Sequence, residues 1–277
     1  MALPQREFGD APGRRTTVVD PDRCRAYALA TNDPNPLYLD GRYAPPVFGV
    51  VPTWDVSMET INTVVSPEDW PMLLHYEQDM RFPLPMVAGI DLHTGASVYS
   101  IRAARSGTWV TVHIESVDDD ERLVLEQFST MFIRRMKAAG DVGPQRPGHP
   151  FPDEARSSLV AEVERRVDED QTFRYAEASG DYNRIHVDDE FAKSVGLPGI
   201  IAHGLCTMAM CGSVVVDSVG GGDPSRLSRL AVRFSKPVLP GSDLVVSVFG
   251  AGPGEYAFEA AVDGKLVVRD GRAEVRG

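Results

Sequence analysis

Basic residues are scarce in this sequence: 28 Lys and Arg stand against 40 Asp and Glu, for a net charge of -12. That balance argues against a nucleic-acid partner, because phosphate binding needs clustered cations. Cysteine is scarcer still. Cys24, Cys206 and Cys211 are an odd number without metal-site spacing, so neither a disulfide framework nor a zinc site is expected, and a reducing cytoplasm is the natural compartment. His75, His93 and His113 have no spacing that suits a metal either. Long apolar runs are missing. The most apolar stretch, Leu205 to Val219, is shorter than the ~20 residues a membrane span requires, and the opening Met1-Ala-Leu-Pro-Gln-Arg-Glu-Phe-Gly-Asp has no apolar core of the kind a secretory signal carries. Rossmann and P-loop glycine spacings do not occur where they should, so no nucleotide cofactor is expected.

What the chain does have is enough apolar residue, 43% of 277, for one large domain or two modest ones, and a sequence written twice. Ala30-Thr-Asn-Asp-Pro-Asn-Pro-Leu-Tyr38 matches Ala178-Ser-Gly-Asp-Tyr-Asn-Arg-Ile-His186, with Asp33 and Asp181 at an offset of 148. The pattern RFxxPxxxGxDL occurs from Arg81 to Leu92 and again from Arg233 to Leu244, at an offset of 152. Two matches in the same order at nearly equal offset point to an internal duplication. Between the copies, Ala138 to Pro152 is rich in Pro and Gly, which interrupt helices and ladders. The expected division is therefore an N-terminal unit 1–140, a linker 141–152 and a C-terminal unit 153–277.

Each copy repeats one plan: a polar helical stretch with the Asp motif, a Gly/Pro turn, an apolar helix, then strands rich in Val, Phe and Thr. In the second copy the spacing predicts a helix over Gly204 to Val219, stopped by Gly220-Gly-Gly-Asp-Pro224. Strands are predicted over Arg229 to Phe234, Asp243 to Phe249, Tyr256 to Val262 and Leu266 to Val275. A helix apolar on all sides followed by an antiparallel meander suggests a sheet curled about that helix.

The string Tyr175-x-x-x-Ser179-Gly-Asp-x-Asn183-x-x-His186-x-Asp188, then Phe191-Ala, then Gly199-Ile-Ile-Ala-His-Gly-Leu205, resembles the MaoC-like (R)-specific enoyl-thioester hydratases and 3-hydroxyacyl-thioester dehydratases. The resemblance covers most of the C-terminal half. The whole chain resembles the double hot-dog members, in which a decayed N-terminal copy accompanies a catalytic one. It implies an α+β double hot-dog fold, with two antiparallel sheets each wrapped around a central apolar helix as a pseudo-dimer. It also implies a hydro-lyase of fatty acid metabolism, acting on thioesters of coenzyme A or acyl carrier protein without a further cofactor. Homodimerisation stays open. The sequence departs from the family pattern at Arg184, where a proline is usual. In the first copy Tyr38 stands at the position of His186, and the turn reads Pro45-Pro-Val-Phe-Gly-Val without a His-Gly pair. A phenol is a poor acid-base group near neutrality, so this copy is expected to be noncatalytic.

Hydration of an enoyl thioester needs a base for water, a proton for C2 and stabilisation of charge on the thioester oxygen. Asp181 and His186, five residues apart in a loop, are the expected pair converging on one water. Gly204, opening the apolar helix, is the expected oxyanion donor through its backbone N–H. Asn183 either orients the loop or water, or merely shapes an Asx turn. His203 reads first as a hydrogen-bonded group at a helix start. Arg233 and Lys236 are candidates for binding the carrier's phosphates, against a plainer reading as solubilising strand residues. Cys206 and Cys211 read as core, and Asp118 to Glu121 as a solvated hairpin turn. A hot-dog thioesterase and a noncatalytic acyl-binding subunit are the rival functions.

Overall fold

A computed structural model describes residues 13–146 and 148–277. The opening segment Met1 to Asp10, and with it the first residues of the 1–140 unit, lies outside the described residues. The N-terminal copy runs β1 (Arg15–Val18), α1 (Pro21–Ala30), α2 (Pro36–Leu39), α3 (Val50–Ile61), β2 (Leu73–Arg81), β3 (Asp91–Ala103), β4 (Gly107–Val117) and β5 (Leu123–Arg134). The C-terminal copy repeats it as β6 (Leu159–Arg166), α4 (Gln171–Ser179), α5 (Arg184–Val187), α6 (Asp189–Ser194), α7 (Gly204–Val219), β7 (Leu227–Phe234), β8 (Asp243–Gly252), β9 (Glu255–Val262) and β10 (Lys265–Val275). Only α6 lacks a counterpart.

The two sheets expected from the sequence are joined edge to edge as one ten-stranded sheet of order β1-β3-β4-β5-β2-β7-β10-β9-β8-β6, and every ladder in it is antiparallel. The order reads the same from either end once copies are exchanged. The reason lies at the centre, where β2 pairs with β7 so that Glu77 faces Arg233 and Arg81 faces Arg229. This register is its own image under exchange of the copies, the signature of an isologous contact. Tyr27 and Tyr175 meet on the same axis, their hydroxyls 3.1 Å apart and both rings buried.

Each copy lays its longest helix against the sheet. In α7 every residue from Leu205 to Val216 is buried, which explains the lack of a polar face. α3 is amphipathic instead: Val50, Thr53, Val56 and Thr60 are buried, whereas Asp55 is exposed. The main core runs through both copies, with Met80, Leu125, Met208, Leu230 and Phe258 fully or almost fully buried. Among the described residues, no helix is long and apolar enough to cross a membrane.

The face of the central strands away from the helices carries an ionic clasp. Asp79 is wholly buried and accepts from Arg229 Nε at 2.9 Å and from Arg146 at 2.6 Å, the latter reaching over from the segment that joins the copies. Arg146 also binds Glu77, and His149 Nδ1 donates to the Asp270 carbonyl at 2.5 Å. Removing Asp79 takes away the wholly buried anion that Arg146 and Arg229 share, leaving Glu77 and Glu274 at the rim to balance two part-buried guanidiniums. Asp79→Ala is expected to cost about 3–5 kcal/mol of unfolding free energy, read from urea denaturation. A loss below about 1 kcal/mol would show that apolar packing alone holds the seam.

Candidate active site

Asp181 and His186 are presented by a short, tightly hydrogen-bonded turn. α4 ends at Gly180, whose φ of +83° is the left-handed conformation that favours glycine. Beyond it, Asp181 Oδ1 accepts the Asn183 N–H at 3.1 Å and Asn183 Oδ1 accepts the Ile185 N–H at 3.3 Å, starting α5 with His186 on it. Asn183 is exposed and shapes the turn, as its plainer reading held. Arg184, in place of the family's proline, clamps the same stretch from outside: it binds Asp188 at 2.6 Å and lies 4.2 Å over the Phe191 ring.

His186 is buried, and its Nδ1 lies 2.8 Å from the Ile201 carbonyl oxygen. A carbonyl only accepts, so Nδ1 carries the proton and Nε2 keeps its lone pair. Burial pushes the His186 pKa below its ordinary 6.5, partly offset by the Asp181 carboxylate. His203, at the start of α7, stacks on the His186 ring at 3.8 Å and donates from Nε2 to the Asp181 carbonyl at 2.9 Å. One side-chain atom each of Asp181, His186 and His203 lies within 4.8 Å of the other two. Atoms at that spacing have the reach to share a water or a cation. Burial pushes His203 down to about 3, with the charge of His186 adding to the effect. His203 thus holds the Asp181 backbone and supports the His186 ring. The hydrogen bond is the helix-start role read from the sequence, whereas the stacking was not legible because its partner comes from another segment.

Gly204 opens α7, whose first backbone bond runs from Thr207 N–H to the His203 carbonyl at 3.1 Å. The N–H groups of Gly204, Leu205 and Cys206 precede it and concentrate positive potential at this end. A Cβ on Gly204 would stand 3.3 Å from the Phe234 ring, so glycine permits the approach. The residue after Arg233 therefore faces the helix start, and strand alternation turns Arg233 to the opposite face. There Asp270 holds it at 2.6 Å and Tyr76 at 3.1 Å, which corrects its expected role at a carrier entrance. Lys236 lies in the loop after β7 and is exposed. Cys206 and Cys211 are fully buried core residues, and Cys24 is buried too.

The N-terminal copy repeats the turn. Asp33 Oδ1 accepts the Asn35 N–H at 3.1 Å and Asn35 Oδ1 accepts the Leu37 N–H at 3.0 Å. Tyr38 follows where His186 does, but its hydroxyl is buried with no hydrogen-bond partner among the described residues. Asp33 is pushed up to about 6, chiefly by burial. Val50, rather than a His-Gly pair, opens α3.

Two hot-dog units sharing one sheet, with an Asp–His pair at a helix start in one of them, define a double hot-dog protein. Residues 151–267 match the model of the MaoC like domain, and residues 40–135 that of the MFE-2 hydratase 2 N-terminal domain. The chain is 32% identical over 213 residues to 3-hydroxyacyl-thioester dehydratase Y of Mycobacterium tuberculosis, covering 73% of this chain and 72% of that one. It is 30% identical to the peroxisomal multifunctional enzyme type 2 of Drosophila melanogaster over 75% of its own length, but spans only 36% of that enzyme. A MaoC-like dehydratase from Phytophthora capsici superposes with a TM-score of 0.85 at 25% identity, over 97% of both chains. The chain belongs to the MaoC-like hydratase and dehydratase family.

Tyr38→Phe removes an unpaired buried hydroxyl. It is expected to leave kcat unchanged and to be neutral or stabilising by about 1 kcal/mol. A fall in kcat as large as that of a His186 variant would show that both copies build working sites.

Proposed function

We propose that the chain catalyses the (R)-specific addition of water to trans-2-enoyl thioesters, and the reverse dehydration of (R)-3-hydroxyacyl thioesters, at the site in its C-terminal copy. The observation that carries this reading is the meeting of the Asp181 carboxylate with a neutral His186 ring, within 4.8 Å, beside the start of α7. A water bridging the two directs one hydrogen to each and presents its oxygen to C3 of the substrate. As the C–O bond forms, His186 Nε2 takes one proton while Asp181 holds the other hydrogen. Electron density moves through C2 to the thioester oxygen, which the Gly204 N–H receives. Protonated His186 then returns the proton to C2 on the same face, giving syn addition with atoms and charge balanced. The (R) outcome rests on the family.

We assign the labour by the boundaries read from the sequence, with 1–140 noncatalytic, 141–152 joining and 153–277 catalytic. Exposed Lys236 is the cation we assign to the phosphates of coenzyme A or acyl carrier protein. The three free, buried cysteines fit a reducing compartment such as the cytosol. Hydrolysis of the thioester and binding without turnover are the competing outcomes. Crotonyl-CoA separates all three: hydration bleaches the enoyl-thioester absorbance, hydrolysis releases thiol, and binding alone does neither.

Asp181→Asn and His186→Ala are each expected to lower kcat about 100-fold or more with the melting profile intact. The double variant should be little worse than either single, because both groups act on one water. Near wild-type kcat in either variant would remove the pair from the mechanism. The pH profile supplies a further check. His186 works as the neutral base and burial lowers its pKa, so the base form persists as pH falls through 6.5. The acid limb of kcat/KM is therefore expected below pH 6.5, and a midpoint above it would overturn this assignment.

A further inference from the structure

Four buried rings join the two copies across their pseudo-two-fold axis. His203, just before α7, tilts against Tyr175 of α4 at 4.7 Å, Tyr175 meets Tyr27 of α1 at 5.4 Å, and Tyr27 meets Phe48, just before α3, edge-on at 5.5 Å. None of the four is more than 2% exposed. The row therefore runs from the start of one copy's long helix to the start of the other's. At its C-terminal end it continues into the active site, because His203 stacks on His186 at 3.8 Å and donates to the Asp181 carbonyl at 2.9 Å.

Packing alone asks only for rings. Phe48 shows this, since it fills the place of His203 in the N-terminal copy without a polar side-chain atom. Yet the two central rings carry hydroxyls 3.1 Å apart, and among the described residues each is the other's one side-chain partner. Burial pushes both phenols above their ordinary 10. Taking two hydroxyls out of water costs free energy that one hydrogen bond between them offsets only in part. What the bond adds is direction, because it weakens steeply with distance and angle whereas ring contacts tolerate sliding.

The bond pins the Tyr175 ring to the other copy, and Tyr175 is a ring on which His203 rests. His203 in turn engages both members of the proposed pair, His186 by stacking and Asp181 by its hydrogen bond. A misplacement of about 1 Å at reacting groups can cost about 100-fold in rate, even when its origin lies far from the chemistry.

We propose that Tyr27, in the noncatalytic copy, is a positioning residue for the reaction in the other copy. Its hydroxyl holds Tyr175, Tyr175 holds His203, and His203 holds Asp181 and His186 in the arrangement that shares one water. The proposal rests on the hydration reading above and adds to it a residue from across the axis.

The test compares Tyr27→Phe, Tyr175→Phe and the double variant in the full chain, by thermal melting, by kcat and KM on crotonyl-CoA, and by NMR of the histidine ring N–H protons. Each single variant strands one buried hydroxyl and should melt earlier, whereas the double variant strands none and should regain most of that loss. Turnover should not follow stability. kcat should fall about tenfold in all three, with KM within about twofold, because all three lack the same bond. The ring protons that His186 gives to Ile201 and His203 gives to Asp181 should exchange with water about tenfold faster in the double variant. Ile133→Val trims the apolar core of the N-terminal copy, controls for lost stability and should leave kcat unaltered. A kcat that recovers with stability in the double variant, or exchange that stays as slow as in the wild type, overturns the proposal and leaves the pair as packing. Should one of the three fail to fold, kcat and exchange in the others decide. No turnover of any enoyl-CoA by the wild type overturns the hydration reading instead, and the exchange rates then test the positioning by themselves.

Discussion

Because β2 and β7 pair in self-complementary register, two half-sheets become one and each copy's long helix is set at a fixed place relative to the other. The buried Asp79 carboxylate, shared by Arg146 and Arg229, lies on the outer face of this pairing and ties the connecting segment to it. On the inner face the same strands bring Phe234 of one copy to His75 of the other.

The chemistry proposed at the helix start depends on dryness and on fixed protons. Both imidazoles are tied to backbone carbonyls, which sets their tautomers, and burial keeps them neutral. A charged ring would gain from water and draw it in; a neutral one leaves a lone pair available next to Asp181. The helix end adds positive potential without adding a titratable group.

The N-terminal copy keeps the same turn although Tyr38 stands where His186 does. The Asp33–Asn35–Leu37 turn follows the Asp181–Asn183–Ile185 turn bond for bond, which shows that these hydrogen bonds serve the fold whether or not chemistry follows. What differs is side chains: Tyr38 for His186 and Phe48 for His203, with Gly49 kept just before α3, and polar groups on the sheet beneath α3.

Local spacing was enough to read the duplication, the Gly204–Val219 helix, the four last strands and the turn that carries Asp181 and His186, because each depends on residues close in the chain whose types carry the signal. Three features were not legible. The merging of two sheets into one depends on strands of different copies choosing each other. The displacement of Arg233 to the outer face depends on which side of β7 faces α7, and Asp270, 37 residues away, then holds it. The support that His203 gives His186 depends on ring stacking between a loop and a helix start. The sequence by itself determined the elements and their repetition, since periodicity and motif are local. Tertiary structure alone decided which face each side chain meets and what lies beyond the active site, since those follow from long-range packing.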